Sequence, residues 1–392
     1  MELIKEIHKF EYSDLPEVIV RTPGRFHLIG EHSWFFRDKT LSMAVNLPVY
    51  VAASSRNDNS VHFYFPQLKD HKKVNLASLK FKKEDRWANT VKAILFGLNN
   101  AGFDLSGMNI TIHSEILPSA GFGISTAMKI GVAWAVRKLL KLECDDGQLL
   151  RAIEIGNRKF LGAENYVSDF YAAIFSQEKS IILTDHSTQS YENIPFDFPG
   201  KKILLVDAQV PRIEIWNEDM IRVPEYALLL GELKELKTNV AGGWRYEENP
   251  HEVNLVLSVA PEDIHKKLHS IMKEHEYLLQ AYEGLKKGAF GAFARAVNMS
   301  HENMRDEYQI SCPEIDWIEK RLLEIDPNNE DSRNPFTCGR ITGKGFGRCF
   351  YAILDEKNVP EFKKKLSEFT KIFGFHASCY EVEPARGVEI VL

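Results

Sequence analysis

A strand, a glycine turn and a long apolar helix follow one another between positions 108 and 140, and no other run limits the chain as much. Met108 to His113 reads as a strand, Pro118 to Gly123 as a Gly-rich turn, and the stretch from about Ser125 to Leu140 as a helix with an apolar stripe. The joining segment, Leu117-Pro118-Ser119-Ala120-Gly121-Phe122-Gly123-Ile124-Ser125-Thr126-Ala127, is built largely of small residues. Small residues let a backbone come close to a ligand, and a helix N-terminus offers free N–H groups and a positive dipole end to an anion. Ser125 and Thr126 add hydroxyls that can meet a phosphate or Mg2+. The segment is not a Walker A loop, since the Gly-Lys-Ser/Thr ending is missing, nor G-x-G-x-x-G, since Thr126 holds the last position. Read alone, an ordinary glycine turn with a serine N-cap accounts for it as well.

The elements on either side are mixed rather than strictly alternating. Val18 to Val20, Leu47 to Ser54 and Val61 to Phe65 read as strands, and Trp87 to Asn99 as a helix stopped by Ala101-Gly102. Gly156 to Gly162 sits near the end of another helix, and Ile181 to Thr184 and Lys202 to Val206 are further strands. Helices are expected over Glu225 to Leu236, Pro261 to Lys287 and Pro360 to Thr370, with Arg340 to Asp355 alternating around a glycine cluster. This order favours α+β over a doubly wound sheet. A chain of 392 residues fits two domains, and the turn-rich Pro195 to Gly200 places the boundary at 197/198.

A net charge of -6 argues against nucleic-acid binding as the main activity. No basic leader with an apolar core opens the sequence, and no apolar run approaches a membrane span. Cys144, Cys312, Cys338, Cys349 and Cys379 are odd in number and form no C-x-x-C pair, which suggests reduced thiols and a cytoplasmic location.

Two further segments carry chemistry. Thr22-Pro23-Gly24-Arg25-Phe26-His27-Leu28-Ile29-Gly30-Glu31-His32-Ser33 is a Pro-Gly turn entering a short strand with Arg, Glu and His close together. By itself it reads equally as a surface turn with an ion pair. Gly339-Arg340-Ile341-Thr342-Gly343-Lys344-Gly345-Phe346-Gly347-Arg348-Cys349 runs alternating glycines into a strand, and alone reads as a glycine-kinked strand at a close packing point.

The three segments in this order resemble the three signature motifs of the GHMP kinases, and of galactokinase in particular. Pro23 to His32 is similar to that family's Pro-Gly-Arg-x-Asn-Leu-Ile-Gly-Glu-His, with His27 in place of Asn. Pro118 to Ala127 looks like its phosphate loop and Arg340 to Cys349 like its third motif. Narrower matches are Arg86-Trp87-Ala88-Asn89, Ser300-His301 with Ser311-Cys312-Pro313-Glu314-Ile315-Asp316, and Pro384-Ala385-Arg386-Gly387. The resemblance runs almost end to end. It implies a two-domain GHMP kinase fold: a ribosomal protein S5 domain 2-like N-terminal half, a ferredoxin-like C-terminal α/β sandwich, and an active site in the cleft between them.

The resemblance implies transfer of the γ-phosphoryl group of ATP, with Mg2+, to a sugar hydroxyl by a monomer. Arg25 and Asp169 take the places of the family's catalytic pair. The loop through Ser119, Ala120, Gly121, Gly123, Ser125 and Thr126 takes the place that holds the triphosphate, and Trp87 that of a residue near the adenine. Ser125 and Thr126 are also the implied Mg2+ contacts. Glu31 and His32 remain as polar contacts to the sugar.

Departures gather on the sugar side. Trp34 stands for the aspartate that holds sugar hydroxyls, Tyr166 for a glycine that touches sugar, and Asp219 for a sugar-contacting tyrosine. A lost carboxylate costs about 1–3 kcal/mol per buried hydroxyl left unpaired. A different sugar or polyol is therefore expected, with a true galactokinase or an inactive sugar- or ATP-sensing regulator as the other readings. On the phosphate side, Ile124 replaces the first serine of the loop and Asn157 an acidic Mg2+ ligand, with Glu154 one turn earlier as a possible substitute. Lys344 and Arg348 are added where the family usually has glycine, as aids to charge neutralisation or as solvated side chains. His265 and His269 share a helix face, but no metal-site spacing supports them.

Overall fold

The computed structural model describes residues 1–32, 38–116, 121–163, 166–211, 262–328, 333–343 and 345–392. Trp34, Ser119, Ala120, Asp219, Lys344 and the helix expected over Glu225 to Leu236 lie outside them.

Helix α1 (Glu2–Tyr12) precedes a first sheet made by β1 (Val18–Ile29), β2 (Lys39–Ser55), β3 (Ser60–Phe65), β4 (Asp70–Asn75), β5 (Met108–Ser114), β6 (Ser180–Asp185) and β7 (Ser190–Pro195). Helices α2 (Ala88–Asn100), α3 (Ile124–Leu139), α4 (Asp146–Ile155) and α5 (Val167–Phe175) belong to the same half. The sheet runs β12-β1-β2-β5-β3-β4, where β12 is Glu389–Ile390, and β6 and β7 branch from β2. The 17-residue β2 allows the branch: Val49–Ser55 pairs with β5 and Lys39–Ser42 with β6. Val20, Val51, Ile110 and Ile112 meet Val91, Ile130, Leu149 and Phe170 of α2 to α5 in one core. Apolar side chains at period 2 on strands and 3.6 on helices bury together in this way.

The second sheet holds β8 (Lys201–Asp207), β9 (Cys338–Ile341), β10 (Cys349–Asp355) and β11 (Ser378–Val382), in the order β11-β8-β10-β9. Numbered along the chain this is 4-1-3-2, with α6 (Glu262–Lys286), α7 (Phe290–Asp306) and α8 (Pro313–Leu323) before its second strand and α9 (Val359–Phe373) before its fourth. That is the expected ferredoxin-like order. Both faces of this sheet are covered. Ile203, Leu205, Tyr351 and Ile353 face a core shared with Phe26, Leu28 and Met43 of the first sheet, while Leu204, Val206, Phe350 and Leu354 face Phe362 and Phe369 of α9. A strand buried on both faces reads as a continuous apolar run, as Ile203-Leu204-Leu205-Val206 does.

The chain passes from one sheet to the other between Pro195 and Lys201. It returns at the end, since β12 pairs with β1 and Val45 bridges to Pro384. Our proposed division at 197/198 puts the last residues in the second half, whereas β12 pairs into the first sheet. All five cysteines are free thiols.

Candidate active site

Arg25 and His27 are two residues apart on β1, so both side chains leave the same face of the strand. Both end on Asp169. Arg25 Nη2 lies 2.6 Å from Oδ2, and His27 Nε2 lies 2.7 Å from Oδ1. Asp169 stands in the first turn of α5, where the helix dipole favours an anion, and its N–H donates to the carbonyl of Tyr166 at 3.0 Å. Thr126 Oγ1 reaches toward Oδ2 at 3.5 Å. Asp169 is 9% exposed. Burial pushes its pKa up, but the Arg25 guanidinium and the hydrogen bond from His27 outweigh it and hold the carboxyl well below the usual carboxylate range. The group is an anion at neutral pH.

The three segments singled out in the sequence meet here. Gly123 has φ +87°, and a Cβ on it would stand 3.0 Å from Arg25 Cγ. Gly121 has φ +81°, and a Cβ there would stand 2.2 Å from Cys349 Sγ. Glycine is thus required twice, by backbone conformation and by contact with the other two segments. Arg25 N–H donates to the Phe122 carbonyl at 3.0 Å. Thr342 Oγ1 donates to the His27 carbonyl at 2.7 Å.

Helix α3 starts at Ile124, with Gly123 as its N-cap and no side-chain cap bond. Ser125 therefore lies inside the first turn, not at the cap. Its position is exposed, Thr126 is buried toward Asp169, and the uncapped first-turn amides fit a phosphate. For Mg2+ the donors are sparser. Ser125 is the exposed hydroxyl, Asn157 is neutral and buried in the π-helical turn Gly156–Leu161, and Glu154 is exposed. The set fits a cation that arrives with a triphosphate better than one held by the chain alone. Among the described residues no group of three or more His, Cys, Asp or Glu forms a metal cluster.

The expected sugar contacts divide. Glu31 Oε1 accepts from Arg340 Nη1 at 2.7 Å, whereas its buried Oε2 has no hydrogen-bond partner among the described residues. His32 packs against Tyr308 with ring centroids 5.4 Å apart. Tyr166 is half-buried at the N-cap of α5, beside the Arg25–Asp169 pair in sequence and through its carbonyl. Trp87 is half-buried, its indole N–H donating to Asp70 at 2.8 Å and its ring edge-on to Phe65. Arg348 is not a solvated side chain, since it forks onto Asp207 at 3.2 and 2.9 Å.

Three residues of this site escaped the sequence reading. His27 appeared there only as a departure from Asn. Lys129, one turn beyond Ser125 on α3, is half-buried; burial pushes its pKa down to about 8, with Asp169 raising it and Arg25 lowering it. Asp38, four residues after Trp34, binds His275 of α6 at 2.8 Å. The narrower matches also converge. Ser300 Oγ lies 2.7 Å from Arg340 Nε, and His301 Nδ1 accepts from the Ile341 N–H at 3.1 Å, with Nε2 3.6 Å from Asp316.

The chain is similar to known proteins in sequence and in fold. A model of the galactokinase galactose-binding signature matches residues 6–55, and one of the GHMP kinases N terminal domain matches residues 89–177. A Treponema pallidum (strain Nichols) protein named "Putative galactokinase" is 35% identical over 398 residues, covering 100% of this chain and 97% of its own. The galactokinase of Ligilactobacillus salivarius (strain UCC118) is 26% identical over 97% of each chain. Among solved structures, Lactococcus lactis galactokinase complexed with galactose has a TM-score of 0.86 at 22% identity over 99% of both chains. Methanococcus jannaschii mevalonate kinase has a TM-score of 0.64 at 17% identity, over 94% of this chain and 98% of its own. At these identities the two structures speak to the fold.

Proposed function

Because this chain belongs to the galactokinase family of the GHMP kinases, we propose that it phosphorylates a hydroxyl of a sugar or sugar-like polyol other than galactose, using ATP. The observation that carries the chemistry is Asp169 held as an anion by Arg25 and His27 beside the Gly121–Gly123 turn. The acceptor oxygen forms a bond to the γ-phosphorus, the bond to the β,γ-bridging oxygen breaks, and ADP leaves. Asp169 is too well stabilised to strip the hydroxyl in advance. It orients the O–H and receives the proton as the new bond forms. Arg25 offsets charge on the phosphoryl oxygens and keeps Asp169 in place. The α3 N-terminus, Ser125 and the glycine turn hold the triphosphate. Trp87 takes the adenine. Mg2+ bound to the nucleotide would supply further neutralisation, with Ser125 and, less directly, Thr126 nearest to it.

On the sugar side, Glu31 Oε2 is the oxygen left for a substrate hydroxyl, while Oε1 is taken by Arg340 and has His32 Nε2 at 3.8 Å. Trp34, Tyr166 and Asp219 replace the family's carboxylate, glycine and tyrosine. Trp34 and Tyr166 remove a carboxylate and add aromatic surface, while Asp219 puts a carboxylate where an aromatic stood. The pocket's polar and apolar sides are thus exchanged, which suits an acceptor with its apolar face placed differently from galactose.

Purified protein with MgATP, screened for ADP release over monosaccharides and cyclitols, tests this. We expect at least one acceptor with a kcat/KM about tenfold or more above that of galactose, the worth of one buried hydrogen bond. Galactose as the best acceptor would remove the altered pocket and leave the kinase. No turnover on any acceptor, with ATP still bound, would favour a sensor.

Lys129 gives the pH dependence. Its ammonium is present below about pH 8 and lost above it, beside the Arg25–Asp169 pair. The kcat is expected to fall as pH rises through about 8. Lys129→Met should remove that alkaline limb and lower the neutral-pH kcat about tenfold, as loss of one electrostatic donor does. An unchanged alkaline limb in the variant would assign it elsewhere.

A further inference from the structure

We infer that His27 is a positioning residue for the phosphoryl transfer, fixing the plane of the Asp169 carboxylate. The inference deepens the role given to Asp169 above and rests on it. Arg25 alone does not set that plane. It touches Asp169 through Nη2 on Oδ2, and its Nε is buried without a hydrogen-bond partner among the described residues, so the pair is end-on and not a fork. A carboxylate held at one oxygen can still turn about its own bond, and the acceptor hydroxyl would turn with it. His27 takes the second oxygen at 2.7 Å. Asp169 is ionised and can only accept, so Nε2–H is the donor.

The imidazole is itself held from every side. His27 is 6% exposed. Its Nδ1 lies 2.8 Å from Ser42 Oγ, and Ser42 is its cross-strand partner on β2, fully buried. Its backbone N–H and C=O both meet Thr342 Oγ1, at 3.3 and 2.7 Å. Nε2–H donates to Asp169 while Nδ1 is engaged by Ser42 Oγ, so both ring nitrogens are tied to fixed partners. A ring anchored at both nitrogens and along its backbone is a rigid arm, and rigidity is what a positioned reactant needs.

Four proteins, wild type, His27→Ala, His27→Leu and His27→Gln, are compared on the best acceptor of the panel, with Asp169→Asn in parallel. Ala removes the donor, and Leu removes it while keeping the volume. Gln returns an amide N–H near the place of Nε2. We expect kcat to fall about 10- to 100-fold in Ala and Leu, with the KM for ATP changed less than about threefold, and to recover to within about fivefold in Gln. In 15N-histidine-labelled protein one downfield ring N–H resonance should vanish in His27→Gln and move in Asp169→Asn. Full kcat in His27→Leu alongside a dead Asp169→Asn overturns the inference and leaves the role of Asp169 intact. Full kcat in Asp169→Asn, or no turnover by the wild type on any acceptor, overturns both. A ring resonance indifferent to Asp169→Asn overturns the contact itself.

Discussion

Asp169→Asn is expected to fold, bind ATP and lose turnover by about a thousandfold. General-base and orienting carboxylates are worth about 10²- to 10⁴-fold, and this one sits where Arg25, His27 and Thr126 converge. The amide keeps the shape but loses the charge, so Arg25 keeps its volume and loses its counter-ion. Arg25→Met should therefore cost about as much as the double variant Arg25→Met with Asp169→Asn, because the two act as one unit and their losses do not add. Stability should respond as well, and its sign is fixed. The folded pKa of Asp169 lies below the unfolded one, so its contribution is present above the ordinary carboxylate range and fades as pH falls through it. Asp169→Asn lacks that contribution and should show a shallower loss of stability on acidification. Single-turnover rates with pre-bound ATP and acid titrations of unfolding read both effects. Activity within tenfold of wild type would remove Asp169 from the chemistry.

Much of this site was legible because its parts are punctuated by glycine and proline. The three segments read as turns, and they meet where Gly121 leaves room for Cys349 and Gly123 for Arg25. What stayed hidden were contacts made across sequence distance. Arg25 and His27 at spacing two share a face because they lie on a strand, and the sequence predicts two strands here, Val18 to Val20 and a short one after the Pro23-Gly24 turn, without showing that they are one. In the structure Pro23 lies opposite Pro48 at a register shift, and β1 continues to Ile29. A bulge absorbs the irregularity without ending the pairing. Helix α7 was missed for a weaker reason. Phe293, Ala296, Val297 and Met304 are at helical spacing and buried, but Ser300, His301 and Asn303 between them are buried as well. Their polarity interrupts the apolar stripe, and the groups that satisfy Ser300 are far off in sequence, Arg340 donating to it and Glu274 accepting from it. Glu31 shows the limit of resemblance. Its likeness suggested a sugar ligand, while the structure gives one of its oxygens to Arg340, 309 positions away.

Arg340 carries the largest expected effect on stability. It is fully buried, and its donors go to Glu31 Oε1 at 2.7 Å, Glu274 Oε1 at 2.8 Å, Ser300 Oγ at 2.7 Å and the Ile341 carbonyl at 2.7 Å. Glu274 in turn accepts from the Gly30 N–H at 3.1 Å and from Ser300 Oγ at 2.7 Å. One guanidinium thus ties β1, α6, α7 and β9 together beneath the site. Arg340→Met leaves two buried carboxylates facing each other, and breaking such a group by removing one partner costs about 3–5 kcal/mol. Arg340→Lys keeps the charge but not the fork and should lie between. The pH dependence separates this account from a simple packing defect. In the wild type, burial raises the Glu31 pKa and Arg340 outweighs it, leaving the group below its ordinary value. Without Arg340, burial, the largest influence on the group, and the second carboxylate are opposed only by His32 and His27, so the folded pKa is expected to rise above the unfolded one. The penalty is then full at neutral pH and is relieved as protons bind. Denaturant midpoints of Arg340→Met should approach those of the wild type between pH 7 and 5, whereas a cavity defect would keep the same gap at both. A gap below about 1 kcal/mol at pH 7 would mean that water reaches Glu31 and Glu274, and that β1, which carries Arg25 and His27, is held by its sheet pairing and apolar contacts without the Arg340 cluster.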